Sequence, residues 1–333
     1  MATHINSEPT TAPNALAWSR LARALGPQDW IASGYLLAMS LAAITAADHP
    51  SRTRCIVQMS GLWLVCSGVT FLVRSRIWQQ PVLAPLVYRL TLFGSIVTSY
   101  LFLDHFLPLV NPRVLDAELH ALDLAVFGFE PAVLLDHYVT PFWTEWFSFF
   151  YFSYFYLSGA HIFPILLFTR DERLLCEFSL GMLLLYVIGQ TLYLCVPGFG
   201  PLVALAGQFT HALPHGFWLD TVMTTVHSGG AQKDIFPSLH TATPTFLTLL
   251  SFRHRHRRPF RYTWPLVGFF AINIIIATMY LRWHWLIDVV AGVLLAIASL
   301  ATSAWVTRHE LARRKRDGLG NTWCELQLLK PRS

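Results

Sequence analysis

The sequence predicts an all-α membrane protein: a polytopic helical bundle with about eight transmembrane helices. Composition is the first reason, because 54% of the 333 residues are hydrophobic, 13% are charged and the mean hydropathy is +0.46. Soluble domains carry about a quarter charged residues. Two further observations agree: apolar segments recur along the chain, and the loops between them divide Lys and Arg unequally.

Eight apolar segments are long enough to cross a bilayer, which takes about twenty helical residues. Their approximate limits are Trp30–Ala47, Ile56–Val73, Leu90–Val110, Trp143–Phe168, Leu174–Val196, Pro237–Phe252, Trp264–Leu281 and Trp285–Val306. The sixth is short and contains Pro244, which predicts a kink or a helix partly sunk in the protein. No signal-peptide pattern precedes the first segment, so we expect that segment to be an uncleaved anchor.

The distribution of basic residues predicts the orientation. Nineteen of the 24 Lys and Arg residues fall on one side of these spans and five on the other. Because cytoplasmic loops are enriched in Lys and Arg, both termini are expected in the cytoplasm of a bacterial inner-membrane protein. The net charge of +5 does not indicate nucleic-acid binding, since the basic residues form short clusters between apolar runs and accompany no binding motif.

Segment 111–141, on the non-cytoplasmic side, is predicted to contain an amphipathic helix lying in the membrane interface. Apolar residues recur there at helical spacing and acidic residues take other positions. The apolar set is Leu115, Leu119, Leu122 and Val126, and the acidic set is Asp116, Glu118 and Asp123. Two interpretations remain open: a surface helix packed over the bundle, or a helix that covers the active site.

The run 143–156 is the most aromatic stretch of the chain. An interfacial belt with lipid-facing bulk is favoured over a substrate-binding wall. Glu145 is the exception within the run, because a carboxylate entering the bilayer should face the protein interior.

Two short runs, Phe236–Ala242 and Tyr280–Asp288, contain the candidate chemistry. Each places a histidine at the non-cytoplasmic start of an apolar segment, where an ionisable group is costly unless it has a partner or a function. His284 and Asp288 are four residues apart, so on one helix they share a face. A carboxylate on one imidazole nitrogen leaves the other nitrogen with a free lone pair, as a nucleophile requires.

The first run adds a second imidazole and an anion-binding element. Pro237 suits the first position of a helix, which places Ser238 and His240 in its first turn. Amides at a helix N-terminus can hold phosphate oxygens, and His240 can protonate a leaving oxygen. The combination favours phosphoryl transfer through a phosphohistidine.

Alternative uses of these residues are less favoured. A zinc site would have only three candidate ligands and no His-x-x-x-His pattern. The five cysteines lie singly, without a disulfide framework. His211, His215 and His227 are expected to be solvated or capping groups.

At these runs the sequence resembles the type 2 phosphatidic acid phosphatase superfamily. Its motifs are K-x6-R-P, then P-S-G-H, then S-R-x5-H-x3-D. Pro237 to His240 matches the second motif with Leu239 in place of glycine, and His284 with Asp288 matches the end of the third. The closer similarity is to the branch of inositol phosphorylceramide synthases and bacterial relatives, which has F-P-S-L-H and a motif similar to 284–291. That branch also has segments similar to 197–201 and 115–128.

The resemblance covers roughly Arg89 to Val306 and implies a six-helix catalytic core plus an interfacial helix. The implied organisation is an N-terminal tail (1–28), two additional transmembrane helices (29–82), a catalytic membrane domain (83–306) and a basic cytoplasmic C-terminal tail (307–333). It implies His284 as nucleophile, Asp288 as its orienting group, His240 as acid or base, and Ser238 as a phosphate ligand. No metal or organic cofactor is implied.

Departures from the superfamily pattern bear on the substrate. Nothing matches K-x6-R-P, and Thr278 occupies the position of the expected arginine. A phosphate monoester is close to doubly charged and needs several fixed cations, whereas a phosphodiester has one negative charge. Arg282 and Lys233 are the cations nearest the site in the sequence, so we expect them to contact substrate.

The predicted function is therefore membrane phosphotransfer of a phospho-headgroup, such as phosphoinositol, from a phospholipid donor to a lipid hydroxyl. A lipid phosphate or polyprenyl diphosphate phosphatase is the alternative within enzymes. A transporter or membrane scaffold is the non-enzymatic alternative, but no internal repeat is visible and the polar residues gather at one face.

Overall fold

The computed structural model describes residues 21–229 and 232–326, and within these ranges every regular element is helical. The helices are α1 (Pro27–Thr45), α2 (Arg52–Arg74), α3 (Leu83–Leu101), α4 (Leu103–Val110), α5 (Asp116–Phe127), α6 (Pro131–Leu135), α7 (Pro141–Phe168), α8 (Glu172–Cys195), α9 (Pro201–Ala204), α10 (Phe217–Ser228), α11 (Leu239–Arg253), α12 (Phe260–Tyr280) and α13 (Leu286–Arg316). The predicted all-α membrane bundle is confirmed. Most of the predicted N-terminal tail and the end of the C-terminal tail lie outside the described residues.

Each of the eight predicted spans coincides with helix. Among the described helices, five are long and apolar enough to cross a membrane: α2, α7, α8, α12 and α13. The third predicted span is a pair, α3 and α4, bent by 63°, which brings the number to six if the pair is one span. Helices α1 and α11 fall below this measure, and α11 has only 15 residues with Pro244 inside it. The count of eight therefore stays a prediction.

Helix α11 lies at the centre of the bundle, in contact with α7, α8, α12 and α13. Its apolar side chains Phe246, Leu247 and Leu250 are fully buried. At Gly181 of α8 a Cβ atom would lie 2.3 Å from the Phe246 ring, so the glycine allows the two helices to approach closely. A helix enclosed on all these sides can be short, because protein rather than lipid covers its ends.

A buried ion pair joins the first two helices to the rest of the bundle. Arg74 of α2 donates from Nε to Asp29 of α1 (2.8 Å) and from Nη2 to the hydroxyl of Tyr88 and the carbonyl of Thr322, both at 2.8 Å. The Tyr88 hydroxyl donates to Asp29 at 2.5 Å. Helices α1, α2 and α3 and the C-terminal segment are thus held by one hydrogen-bonded cluster.

Replacing Arg74 with leucine is expected to destabilise the protein by about 3–5 kcal/mol, because it leaves the Asp29 carboxylate buried without its cation. Thermal unfolding in detergent micelles measures the effect. The exposed neighbour Arg76→Gln is the control and should unfold like the wild type, whereas Asp29→Asn combined with Arg74→Leu should recover part of the loss. An unchanged unfolding temperature for Arg74→Leu alone would contradict the stabilising role of the buried Arg74–Asp29 pair.

Candidate active site

The two histidine runs meet where α11 and α13 begin. The amide of Ser238 donates to the carbonyl of Asp288 at 3.0 Å. Close approach depends on Gly292, where a Cβ atom would lie 2.6 Å from the Ser238 carbonyl oxygen. Residues more than forty positions apart are therefore joined through their backbones.

The start of α11 differs from the prediction. The helix begins at Leu239, and Ser238 is its N-cap, with a side chain that accepts from the Thr241 amide at 3.2 Å. Pro237 therefore precedes the cap, and the prediction of Pro237 as the first helical residue is wrong. The reason is that serine oxygen satisfies a free amide of the first turn, which makes serine a preferred cap.

His284 also lies outside the helix on which the sequence placed it. Helix α13 begins at Leu286, so His284 is in the loop after α12, where its amide donates to the Thr278 carbonyl at 3.2 Å. Its Nδ1 nevertheless lies 3.4 Å from Oδ2 of Asp288, which also accepts from the Trp285 amide at 2.9 Å. The two residues therefore do not share a helix face. They pair because Asp288, in the first turn of α13, reaches back over the loop that contains His284.

Burial sets the protonation of the candidate nucleophile. Removal from water lowers the pKa of His284 to about 4, although the carboxylate of Asp234 acts in the opposite direction. The imidazole is therefore neutral near pH 7, and the neutral form has the lone pair that attacks phosphorus.

His240 and His284 line the same cavity, of about 570 Å³. The rings of Tyr151 and Tyr154 each lie with their centroids 4.3 Å from that of His240, Tyr151 nearly parallel to it. Within the described part of the chain, Nδ1 of His240 has no hydrogen-bond partner. Part of the aromatic run thus forms the wall of the cavity, a role the sequence analysis ranked second.

Asp234 is a cavity residue that sequence reasoning missed. Its Oδ2 accepts a hydrogen bond from the Tyr100 hydroxyl at 2.7 Å, and both residues line the cavity with the histidines. Burial raises the pKa of Asp234, and the hydrogen bond from Tyr100 opposes that rise. The available signal was an acidic residue just before the Phe236 run, on the same predicted side of the membrane.

A family model described as the PAP2 superfamily matches residues 117–302, more than half of the chain. This chain belongs to the PAP2 superfamily. No match is found among the curated proteins or among the solved structures. Membership supports phosphatase or phosphotransferase activity on lipid phosphates, and the matched region begins in α5, later than the resemblance at Arg89 suggested.

The charges that line the PAP2 cavity bear on its substrate. Across residues 21–229 and 232–326, no Lys or Arg lines it. Arg282 donates from Nη2 to Asp136 (2.7 Å) and to the His211 carbonyl (2.6 Å), and Lys233 lies 5.1 Å from the Phe199 ring centroid.

The three expected substrate ligands all have structural partners. Ser238 is fully buried as the cap of α11, and it too is absent from the described lining. Contact of Ser238, Arg282 and Lys233 with substrate stays a prediction.

Two of the three acidic residues of the interfacial helix α5 face inward. Asp116 and Asp123 are buried, whereas Leu122 and Val126 are 43% and 57% exposed. The sequence pattern did not say which side of this helix faces the bundle; in the structure Asp116 and Asp123 face it, together with Leu119 from the apolar set. The physical reason is that the apolar side chains can face lipid, while the carboxylates accept hydrogen bonds from backbone amides around the site.

Glu145 was expected to face the interior, and its carboxylate does bind protein. It accepts from the amides of Trp218 and Leu219 at 3.0–3.1 Å, at the start of α10. Residues of α10, including Val222 and Met223, line the cavity. Glu145 thus anchors one wall of the site, where a negative charge is favoured by the free amides of a helix N-terminus.

Proposed function

We propose that this PAP2 superfamily protein is a phosphotransferase that moves a phospho-headgroup from a phospholipid to the hydroxyl of a second lipid. The observation on which the proposal depends is the cavity itself, which combines the two motif histidines, His227 and one carboxylate with largely apolar and aromatic walls and no described Lys or Arg. The similarity of the His240 and His284 motifs to inositol phosphorylceramide synthases favours a phosphoinositol group and a sphingolipid-type acceptor. The site would face the non-cytoplasmic side of a bacterial inner membrane, within a catalytic domain over 83–306.

In the first half of the reaction, Nε2 of His284 attacks phosphorus, and the bond from phosphorus to the glycerol oxygen of the donor breaks. The anionic phosphate of the bound donor favours the protonated form of His240, and His240 gives that proton to the glycerol oxygen, which leaves as diacylglycerol. Asp288 stabilises the imidazole through Nδ1 as Nε2 becomes bonded to phosphorus.

In the second half, the acceptor hydroxyl attacks the phosphohistidine and the bond from nitrogen to phosphorus breaks. Neutral His240 takes the hydroxyl proton, which returns both histidines to their initial states. Water in place of the lipid hydroxyl would give hydrolysis.

Charge supports a phosphodiester donor. A monoester with almost two negative charges needs cations, and the described cavity lining supplies the Asp234 carboxylate instead. A diester has one negative charge and a second ester group that an apolar cavity can accommodate.

The deciding experiment gives the purified protein a phosphatidylinositol-type diester with a ceramide or diacylglycerol acceptor and, separately, phosphatidic acid. A new phospholipid product from the first pair supports the proposal. Release of free phosphate from phosphatidic acid, with no product from the first pair, would identify a lipid phosphatase and contradict the proposal.

Asp234→Asn is expected to raise the hydrolysis of phosphatidic acid relative to transfer by about tenfold. At an effective dielectric constant of about 20, one pair of charges about 10 Å apart is worth roughly 1.7 kcal/mol, so removing the carboxylate favours the more highly charged substrate. The ratio of the two initial rates measures this. Asp220→Asn is the control, since that exposed carboxylate is not in the cavity lining given by the described residues; an unchanged ratio in Asp234→Asn would refute the role of Asp234.

A further inference from the structure

Two carboxylates of α5 hold the loop that contains His284. Asp123 accepts from the amides of Leu286 (2.7 Å) and Ile287 (2.8 Å), the first two residues of α13. Asp116 accepts from the indole nitrogen of Trp285 at 3.2 Å. Both oxygens of Asp123 and one oxygen of Asp116 thus bind residues directly after His284.

Asp116 also fixes the second segment packed on this loop. It accepts from the amides of Phe199 and Gly200, each at 2.8 Å. Gly200 has φ of +85°, and a Cβ atom there would lie 2.2 Å from the Trp283 carbonyl oxygen. The loop is therefore held between α5 and the segment that begins α9.

The contacts of Asp123 determine what Asp288 can do. The first amides of a helix have no partner within the helix and take the nearest acceptor. Asp288 satisfies the Trp285 amide from within α13, and Asp123 satisfies the next two from outside. Asp288 has one buried oxygen, Oδ1, without a hydrogen-bond partner in the described chain. Without Asp123, the two free amides would attract this carboxylate and compete with its contact to His284.

We propose that Asp123 and Asp116 are positioning residues for the His284–Asp288 pair, so that the interfacial helix α5 sets the geometry of the nucleophile. The inference rests on the proposed role of His284. It gives α5 a function beyond packing on or covering the site: its inward carboxylates keep Asp288 directed at His284.

The test compares Asp123→Asn with Glu118→Gln, which removes a carboxylate from the exposed side of the same helix. An asparagine is the same size but has an NH2 donor in place of one acceptor oxygen, so it cannot keep the arrangement in which each oxygen accepts from one amide. We expect Asp123→Asn to lower kcat and the rate of phosphohistidine formation by about 10²-fold, as a displacement near 1 Å would. KM should change by less than about twofold, because the cavity walls stay intact. Glu118→Gln should match the wild type in both constants.

Rescue separates positioning from a merely structural role. Asp123→Glu keeps both acceptor oxygens and should recover part of the phosphohistidine rate lost in Asp123→Asn. The proposal would be overturned by a folded Asp123→Asn protein that forms phosphohistidine at the wild-type rate. It would also be overturned if the thermal stability falls and KM rises while that rate is unchanged. If Asp123→Asn cannot be purified, Asp116→Asn is measured in the same way, and the same outcomes support or overturn the proposal.

Failure of the proposed function would be distinguishable. If the wild type hydrolyses phosphatidic acid but transfers nothing, the transferase proposal fails. The comparison of Asp123→Asn with Glu118→Gln is then made on hydrolysis, and it still decides whether α5 positions the nucleophile.

Discussion

His284→Ala is expected to abolish both transfer from a phosphodiester and hydrolysis of phosphatidic acid, with kcat lowered by at least about 10⁴-fold. The imidazole is the proposed attacking group, it is neutral near pH 7, and Asp288 orients it through a contact of 3.4 Å. Alanine removes the nucleophile and leaves the cavity walls in place. With a donor labelled in its phosphate, the wild type should give a covalent adduct that is stable to alkali and labile to acid, and the variant should give none.

His215→Ala is the matched control, because that side chain is 92% exposed on the same predicted face and pairs only with Asp220 among its ionic contacts in the described chain. It should keep wild-type activity and adduct formation. Turnover retained by His284→Ala would remove His284 as the nucleophile, and with it the phosphohistidine route.

Gly292→Ala is expected to lower activity by about 10²-fold although Gly292 contributes no side chain to the chemistry. Its added Cβ would lie 2.6 Å from the Ser238 carbonyl oxygen, a backbone atom that cannot rotate away. Helices α11 and α13 must separate, which moves His240 relative to His284. Overpacking of this kind also costs about 1–3 kcal/mol of stability.

Gly94→Ala provides the comparison, because no atom lies within 4 Å of an added Cβ at that helical position. It should remain fully active and gain up to about 1 kcal/mol from the better helix propensity of alanine. Initial rates with one saturating donor, together with thermal unfolding, measure both variants. Wild-type activity in Gly292→Ala would show that the close contact of the two helices does not matter for catalysis.

Local patterns were enough to predict the membrane bundle and the two histidine runs. Apolar length and charge density identify helices without reference to the rest of the chain, and all eight predicted spans are helical. The positions of His240, His284 and Asp288 followed from spacing within short runs. Even there, capping displaced the expected helix starts, since Ser238 and Trp285 end up as N-caps.

Partners distant in the chain could not be predicted in this way. Arg282 pairs with Asp136 over 146 residues, Asp234 accepts from Tyr100 over 134, and Asp123 reaches the amides of α13 across more than 160. Each of these contacts depends on which helices pack together and at what separation. A spacing pattern records neither quantity.

The sequence by itself thus determined that this PAP2 superfamily chain is a helical membrane protein, and it indicated the histidines around which its candidate chemistry is built. Only the tertiary structure decided that the described lining of the cavity has Asp234 and no Lys or Arg, and that Asp116 and Asp123 of α5 face inward. The physical reason is that hydropathy and helical period are local properties, whereas the charge of a site is the sum over side chains that packing brings together from the whole chain.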